Sequence, residues 1–583
     1  MGTGHSIDSP IRVAPFGISS VISVVDDLLL ERIRAYYCGV FGFPYEKIAR
    51  KAEDGRAKRV TAYLDMVGDI VSRKFNDIRN QPFFEKNDKA RYFEMLPDHH
   101  ELKALYMKLL ELGKGKESQE LEERLVAGMK PGSIDVNIMV KLDRINYKDG
   151  QPMSDEFSDA KAALRGYAES KISSGIVFSA GINQPLFGYM SKFKDFYRNA
   201  EGVIKKKIIL KVSDFRSALI QGKFLARKGL EVHEFRIESG LNCGGHAFPS
   251  DGELLPYLLK EFSEKRHQLK EQFMPYVKKF YDKAGWTLPE LANKEECLLT
   301  VQGGIGTPGE AKRLFEDYGV DRTGWASPFL LVPEATCIDD PTVELLINAK
   351  EDDLYLSGAS PLGIPFNNVR NSGSDRWTRE QAEKGKPGSA CPKGFLVSNT
   401  EFSELPICTA SKEYQTQKLE LMKEDSVSKV DAVLEKACIC DHLGNGALIA
   451  LGVAKESISP QSICPGPNIA WFDRRYSLEE MVDHIYGRRP SLVPSERPHM
   501  YAKEIQMYMT WVDTLLESLG GDDDKLRARL KKISDNFQVG LDYCESLLAT
   551  NFADDENQAS LEKVCLSAQT WLAKLKTEVT VEV

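Results

Sequence analysis

The chain has 583 residues, 42% hydrophobic and 28% charged, ordinary globular composition that excludes a collagen-like, disordered or disulfide-scaffold protein. Lys and Arg number 77 against 86 Asp and Glu, a net charge of −9, which argues against non-specific nucleic-acid binding. Eleven cysteines are too sparse, and odd in number, for a stapled secreted fold, so reduced thiols and a cytoplasmic location are expected.

The start, MGTGHSIDSPIRV, lacks the basic-then-apolar pattern of a signal peptide. No apolar run approaches the ~20 residues of a membrane span, so no membrane association is expected. Short apolar runs then alternate with helical patterns, as in an α/β chain. Strands are predicted near 11–16, 134–142, 175–179, 207–212, 232–237, 297–302 and 319–323. Helices are predicted at 26–37, with Leu28, Leu29, Ile33 and Tyr37 on one face, and at 213–227. Two charged, helix-rich stretches, about 45–128 and 250–295, read as insertions. Glycine, proline and serine accumulate at 357–411, the mark of irregular chain. Three amphipathic helices close the sequence over 501–583, the first two separated by GGDDD at 520–524.

Three glycine-rich sites follow predicted strands: Gly240-Leu-Asn242-Cys243-Gly244-Gly245-His246, Gln302-Gly303-Gly304-Ile-Gly-Thr-Pro308, and Thr323-Gly324-Trp325-Ala326-Ser327. Glycine after a strand lets backbone approach a ligand, and the free amides with the following helix N-terminus can hold a phosphate. In a (β/α)8 barrel the loops after strands seven and eight commonly do so.

The order of these motifs resembles the nitronate monooxygenase family, which includes flavin-dependent enoyl-ACP reductases. Over residues 11–370, Ala14-Pro15-Phe16-Gly17 is similar to that family's first-strand turn. Val136-Asn137 resembles its Val-Asn strand, Phe178-Ser179-Ala-Gly the fourth strand end, and Val212-Ser213 the fifth. Gly240 to His246 resembles its Gly-x-Glu-x-Gly-Gly-His signature, and Gln302-Gly303-Gly304-Ile305 its Gly-Gly-Ile. The run from Gly319 to Glu334, and Ser360-Pro361 to Asn367, resemble the end of the barrel and the segment that closes it.

The resemblance implies a TIM barrel holding FMN and an enzyme, a flavin-dependent oxidoreductase of the nitronate monooxygenase or enoyl reductase type. The phosphate would lie on Gly303, Gly304, Gly324 and Ala326, with Trp325 beside them. The flavin ring would lie near Ala14, Pro15, Phe16, Gly17 and Asn137, with Ser179, Lys211, Gly244, Gly245 and Gln302 completing the cofactor set. His246 would handle a proton, as an imidazole titrating near neutrality can. Cys243 and Asn242 accompany it, Cys243 as a proton donor or nucleophile or simply a small residue in a tight loop. Expected partners are a small-molecule substrate, or one carried on acyl carrier protein, with no nucleic acid; a homo-oligomer is allowed.

The sequence departs from the family at Asn242, which replaces Glu, and in lacking a recognisable glycine-rich second strand. Charges at strand ends (Lys141, Asp143, Lys211, Asp214, Arg236, Glu238, Arg322) imply a polar mouth for a smaller, charged substrate, or pairing among themselves. Two other readings stay open. One is a barrel that uses its phosphate loops for a phosphorylated or anionic substrate without flavin; the other is a scaffold or partner-binding subunit. Cys391, Cys408, Cys438, Cys440 and Cys464 lie beyond the family match; four thiolates can hold zinc or an iron–sulfur cluster, but the spacing forms no compact CxxC pair and no metal site is assigned. The expected organisation is a barrel over 1–370, a wrapping or cap segment over 371–500 and a helical unit over 501–583.

Overall fold

A computed structural model describes residues 3–138, 143–148, 150–293, 295–423, 426–519 and 523–580. Seven strands form one parallel sheet in chain order: β1 (Ser20–Ser23), β2 (Ile134–Ile138), β3 (Ser174–Phe178), β4 (Lys206–Val212), β5 (Val232–Glu238), β6 (Leu298–Gln302) and β7 (Arg322–Gly324). Parallel neighbours need long crossovers, and helices supply them. From β2 onward these are α1 (Asp159–Glu169), α2 (Gln184–Met190), α3 (Phe215–Ala226), α4 (Leu255–Ala284) and α5 (Pro308–Tyr318). The fold is therefore mixed α/β. Among the described residues β1 and β7 are the edges of the sheet and do not pair.

The strands alternate in a way that sets the chemistry. In β5, Phe235 and Ile237 are fully buried, and Phe235 meets Phe273 of α4 at a ring distance of 6.3 Å. Glu234, Arg236 and Glu238 occupy the opposite face, because successive side chains of a strand point to opposite sides. β6 repeats the pattern with Leu299 and Val301 against Thr300 and Gln302. One face of the sheet thus packs on helices while the other carries charge.

Several expectations are corrected. Residues 11–16 are not a strand: Ser9–Val13 is α-helical and Ala14–Phe16 a 3-10 turn. Pro10 presets the helical start, and Arg12 reaches back to Asp8 at 2.8 Å, an i,i+4 pair that suits a helix. β1 was not anticipated; it pairs in parallel with β2. The predicted strand at 134–142 is present over Ile134–Ile138, and residues 139–142, Lys141 included, lie outside the described residues. The strand at 319–323 shifts to Arg322–Gly324.

The helix-rich insertions are present: four helices from Gly55 to Gly128 join β1 to β2, and α4 fills the second. Residues 371–500 are more regular than expected, with five α-helices among the described residues, and 384–411 is the longest stretch there with neither helix nor strand beyond isolated bridges. The strands β8 (Leu354–Ser357) and β9 (Phe366–Val369) form a separate antiparallel pair.

The C-terminal helices are α6 (Met500–Glu517), α7 (Asp524–Leu547) and α8 (Gln558–Thr580). They share the main apolar core: Tyr508, Phe537 and Leu572 belong to the same cluster as Phe262 and Phe273 of α4. Among the described residues no helix is long and apolar enough to cross a membrane.

Candidate functional site

The loop after β6 is shaped by glycine. Gly303 and Gly304 have φ of +108° and +79°, backbone that L side chains rarely adopt. A Cβ on Gly304 would stand 2.2 Å from the amide nitrogen of Asn242. Thr307 then caps α5 with Glu310 as reciprocal partner, and Pro308 begins the helix.

The expected anion site at this helix N-terminus is already filled by the chain. Gly306 and Thr307 N–H donate to Glu310 Oε2 at 2.8 and 3.3 Å, and Gly309 N–H to Asp555 Oδ2 at 3.1 Å. The open donors lie upstream and across the mouth. Among the described residues, the amides of Gly303, Gly304, Trp325 and Ala326 donate to no protein acceptor.

These loops line a cleft of about 1980 Å³ that runs from the C-terminal ends of the strands along their charged face. Of the cofactor and catalytic candidates, Phe16, Gly17, Asn242, Cys243, Gly244, Gln302, Gly303, Gly304, Gly324, Trp325 and Ala326 line it. Ala14, Pro15, Asn137, Ser179, Lys211, Gly245 and His246 do not.

His246 is engaged elsewhere. Its Nε2 lies 2.7 Å from Ser360 Oγ, its ring meets Phe366 at 5.1 Å, and its backbone bridges Phe366. Asn242 is a clasp: buried, it donates from its backbone to Ser239 Oγ and from Nδ2 to Met500 O at 3.3 Å. Burial, followed by the charge of Glu238, pushes the Cys243 thiol up to about 12, so it is a neutral thiol and a poor nucleophile.

The strand-end charges mostly pair. Lys211 ion-pairs with Glu238, which also accepts from Gln302 Nε2 at 2.5 Å. Burial raises the Glu238 carboxyl, but Lys211 and Gln302 outweigh it and hold it below its ordinary value. Two residues earlier on the strands, Arg236 meets Glu234 at 2.7 Å and Asp135 at 3.8 Å, and Arg322 meets Glu234 at 3.3 Å. Asp143 and Asp214 instead receive backbone amides at helix starts, Ala160 N–H and Ser217 N–H. Four cleft-lining residues carry a buried side-chain atom with no hydrogen-bond partner among the described residues: His5 Nδ1, Ser20 Oγ, Thr300 Oγ1 and Arg489 Nε.

Sequence reasoning missed the groups that hold the glycine loop from outside. Arg497 donates to Gly304 O at 2.5 Å and Asn468 Oδ1 at 2.7 Å, and pairs with Glu310 at 2.7 Å. Asn468 Nδ2 donates to Ile305 O at 2.8 Å. The segment Cys464–Asn468 crosses the other loops, since a Cβ on Gly244 would meet Cys464 O at 2.6 Å and Gly466 N–H donates to Ser327 Oγ at 3.0 Å. Arg497 sits in an unremarkable SERPHM context, and no local signal marks it.

No protein-family model matches the chain, and no curated protein matches it.

Proposed function

We propose that the chain is an FMN-dependent oxidoreductase on the plan of a (β/α)8 barrel, of the nitronate monooxygenase or enoyl reductase type. The observation that carries this reading is the pairing of two glycine loops, after β6 and β7, whose unsatisfied amides open onto one large cleft at the C-terminal ends of consecutive parallel strands. The span Val13–Ile18 stands in for the first barrel strand: several of its residues line the cleft, as do residues of both sheet edges.

The residues present fit the cofactor. The amides of Gly303, Gly304, Trp325 and Ala326 would receive the phosphate, and the orphaned Thr300 Oγ1 leaves the cleft wall a polar atom to satisfy. Bound there, FMN supplies hydride or electron transfer. The chain's part is to orient substrate and control protons. The neutralised charge layers, Lys211–Glu238 and Arg236–Glu234, favour a small polar substrate over a long acyl chain. His246 is the proton-handling group of this reading, although it stands outside the cleft wall and is held by Ser360.

The test is the absorption spectrum of the purified full chain, with heat release of any chromophore and titration of colourless protein with FMN. Flavin bands, with FMN in the supernatant, support the reading. A colourless chain that takes up no FMN overturns it and favours a phosphorylated substrate at the same amides. His246→Ala, with flavin retained, tests the proton role separately: unchanged turnover on a true substrate removes it.

A further inference from the structure

The charged face of the sheet carries one row of side chains below the glycine loops. Arg236 of β5 pairs in register with Thr300 of β6, and Thr300 with Arg322 of β7. Neighbouring strands stand about 4.8 Å apart, so the small threonine has an arginine on each side. All three residues line the cleft. The bore of a (β/α)8 barrel is ordinarily filled by layers of bulky side chains. Here the centre of the row is short, and the cleft reaches down to it, two residues before Gln302.

The polar atoms of this row are not all used by the protein. Thr300 is only 4% exposed, and its Oγ1 has no hydrogen-bond partner among the described residues. A buried hydroxyl left in that state is costly. Arg236, also buried, spends Nε and Nη2 on Glu234 Oε1, at 2.8 and 2.7 Å. Its Nη1 donates to no protein acceptor among the described residues.

Arg322 Nη1 crosses β6 to the other oxygen of Glu234, at 3.3 Å. Two guanidiniums therefore share one fully buried carboxylate. Asp135 is the next acid, and its nearest oxygen stands 3.8 Å from Arg236, beyond hydrogen-bond reach. Asp135 Oδ1 is already taken by Ser133 Oγ at 2.5 Å and Gly175 N–H at 3.0 Å.

We propose that Arg236 and Thr300, with Arg322 beside them, form a subsite that binds the carboxylate of a small substrate. The assignment deepens the reading above and rests on it for one point, that this cleft is the substrate site; it does not require the flavin. The unused Nη1 of Arg236 and the Thr300 hydroxyl are donors on adjacent strands that border one cavity. A carboxylate offers two acceptor oxygens in one plane, one for each donor. Glu234 offsets one guanidinium and the ligand offsets the other, which suits a monoanion better than a phosphate dianion. The row is also separate from the glycine-loop amides, so both groups can be occupied at once.

The test uses the full chain, with propionate as probe and propionamide as its uncharged isostere. Saturation-transfer NMR and calorimetry at low salt read the binding. Propionate should bind, and propionamide should not displace it. Thr300→Val keeps the side chain's shape and removes the donor. It should weaken propionate about tenfold and leave the melting temperature unchanged or higher, since the hydroxyl it removes is unpaired in the free chain. Arg236→Gln should abolish binding; if that variant fails to fold, Thr300→Val decides alone.

A wild-type chain that binds no propionate overturns the proposal, and so does equal affinity for propionamide. Propionate that is displaced by inorganic phosphate and indifferent to Thr300→Val would sit on the glycine-loop amides, which also overturns it. The two readings fail separately. A colourless chain that takes up no FMN yet binds propionate through Thr300 removes the flavin and keeps the subsite; a chain that holds FMN and ignores propionate does the reverse.

Discussion

Glu504 offers the sharpest test of how the C-terminal unit is joined to the sheet. It lies on α6, buried, and accepts from Ser239 Oγ at 2.8 Å and from Leu255 N–H, at the start of α4, at 3.0 Å. Among the described residues no cation pairs with it, and burial pushes its carboxyl up from 4.5 to about 7, against the pull of those two donors. In the unfolded chain the group ionises near its ordinary value. Between the two values the folded state therefore binds more protons, and stability falls as pH rises. The penalty is absent below about 4.5 and complete above about 7. A difference of about 2.5 units at 1.36 kcal/mol each gives about 3 kcal/mol. Glutamine has the same shape and stays neutral: its oxygen can accept from Leu255 N–H and its nitrogen can donate to Ser239 Oγ. Glu504→Gln should thus be more stable than wild type at pH 8 by about 3 kcal/mol, with the gap closing toward pH 4.5. Unfolding midpoints in urea across that range measure it. A variant that is destabilised equally at every pH would refute the reasoning and make Glu504 an ionised cap.

Other outcomes follow from named contacts. Arg497→Met leaves Glu310 buried without its cation and should cost about 3–5 kcal/mol in thermal or urea unfolding; adding Glu310→Gln should recover part of the loss. Phe537→Ala opens a cavity at a fully buried position between α7 and its neighbours, so a loss of about 3–5 kcal/mol is expected with oligomeric mass unchanged by light scattering. A change of mass instead would make these helices an oligomer interface. Lys206 is enclosed at the start of β4, where its ammonium donates to Ser170 O at 2.9 Å and Ile172 O at 2.7 Å, with no carboxylate bonded to it among the described residues. Burial, then the neighbouring Lys205, pushes it down to about 7 from 10.5, so the unfolded chain binds the extra proton and stability rises with pH across that window. Lys206→Met should remove that slope from the pH dependence of the melting temperature.

Much of the sheet was legible because β2 to β6 are short apolar runs followed by glycine or a helix cap. β1 was not, since Ser20–Ser23 is four residues long and half serine. The 11–16 stretch misled because Ile11, Val13 and Pro15 alternate as a strand would, while Pro10 and the Asp8–Arg12 pair decide for a helix. The glycine loops could be placed because positive φ restricts residue choice. The identity of the groups above them could not, since Arg497 and Asn468 act from 193 and 163 residues away. His246 shows the same limit: the Gly-Gly-His pattern locates the loop, but Ser360 and Phe366 decide which way the ring turns.

The clasp of Arg497 and Asn468 on the glycine loop also has a meaning in time. The loop that closes over Gly304 leaves the ribosome long before the residues that hold it. Until residue 497 has emerged, Glu310 has no guanidinium and the carbonyls of Gly304 and Ile305 face water. A nascent chain therefore exposes an unfinished mouth through the synthesis of nearly two hundred further residues, with a long-range closure still to make. Such a chain is exposed to misassembly throughout its synthesis, and the clasp on its glycine loop forms only after residue 497 has emerged.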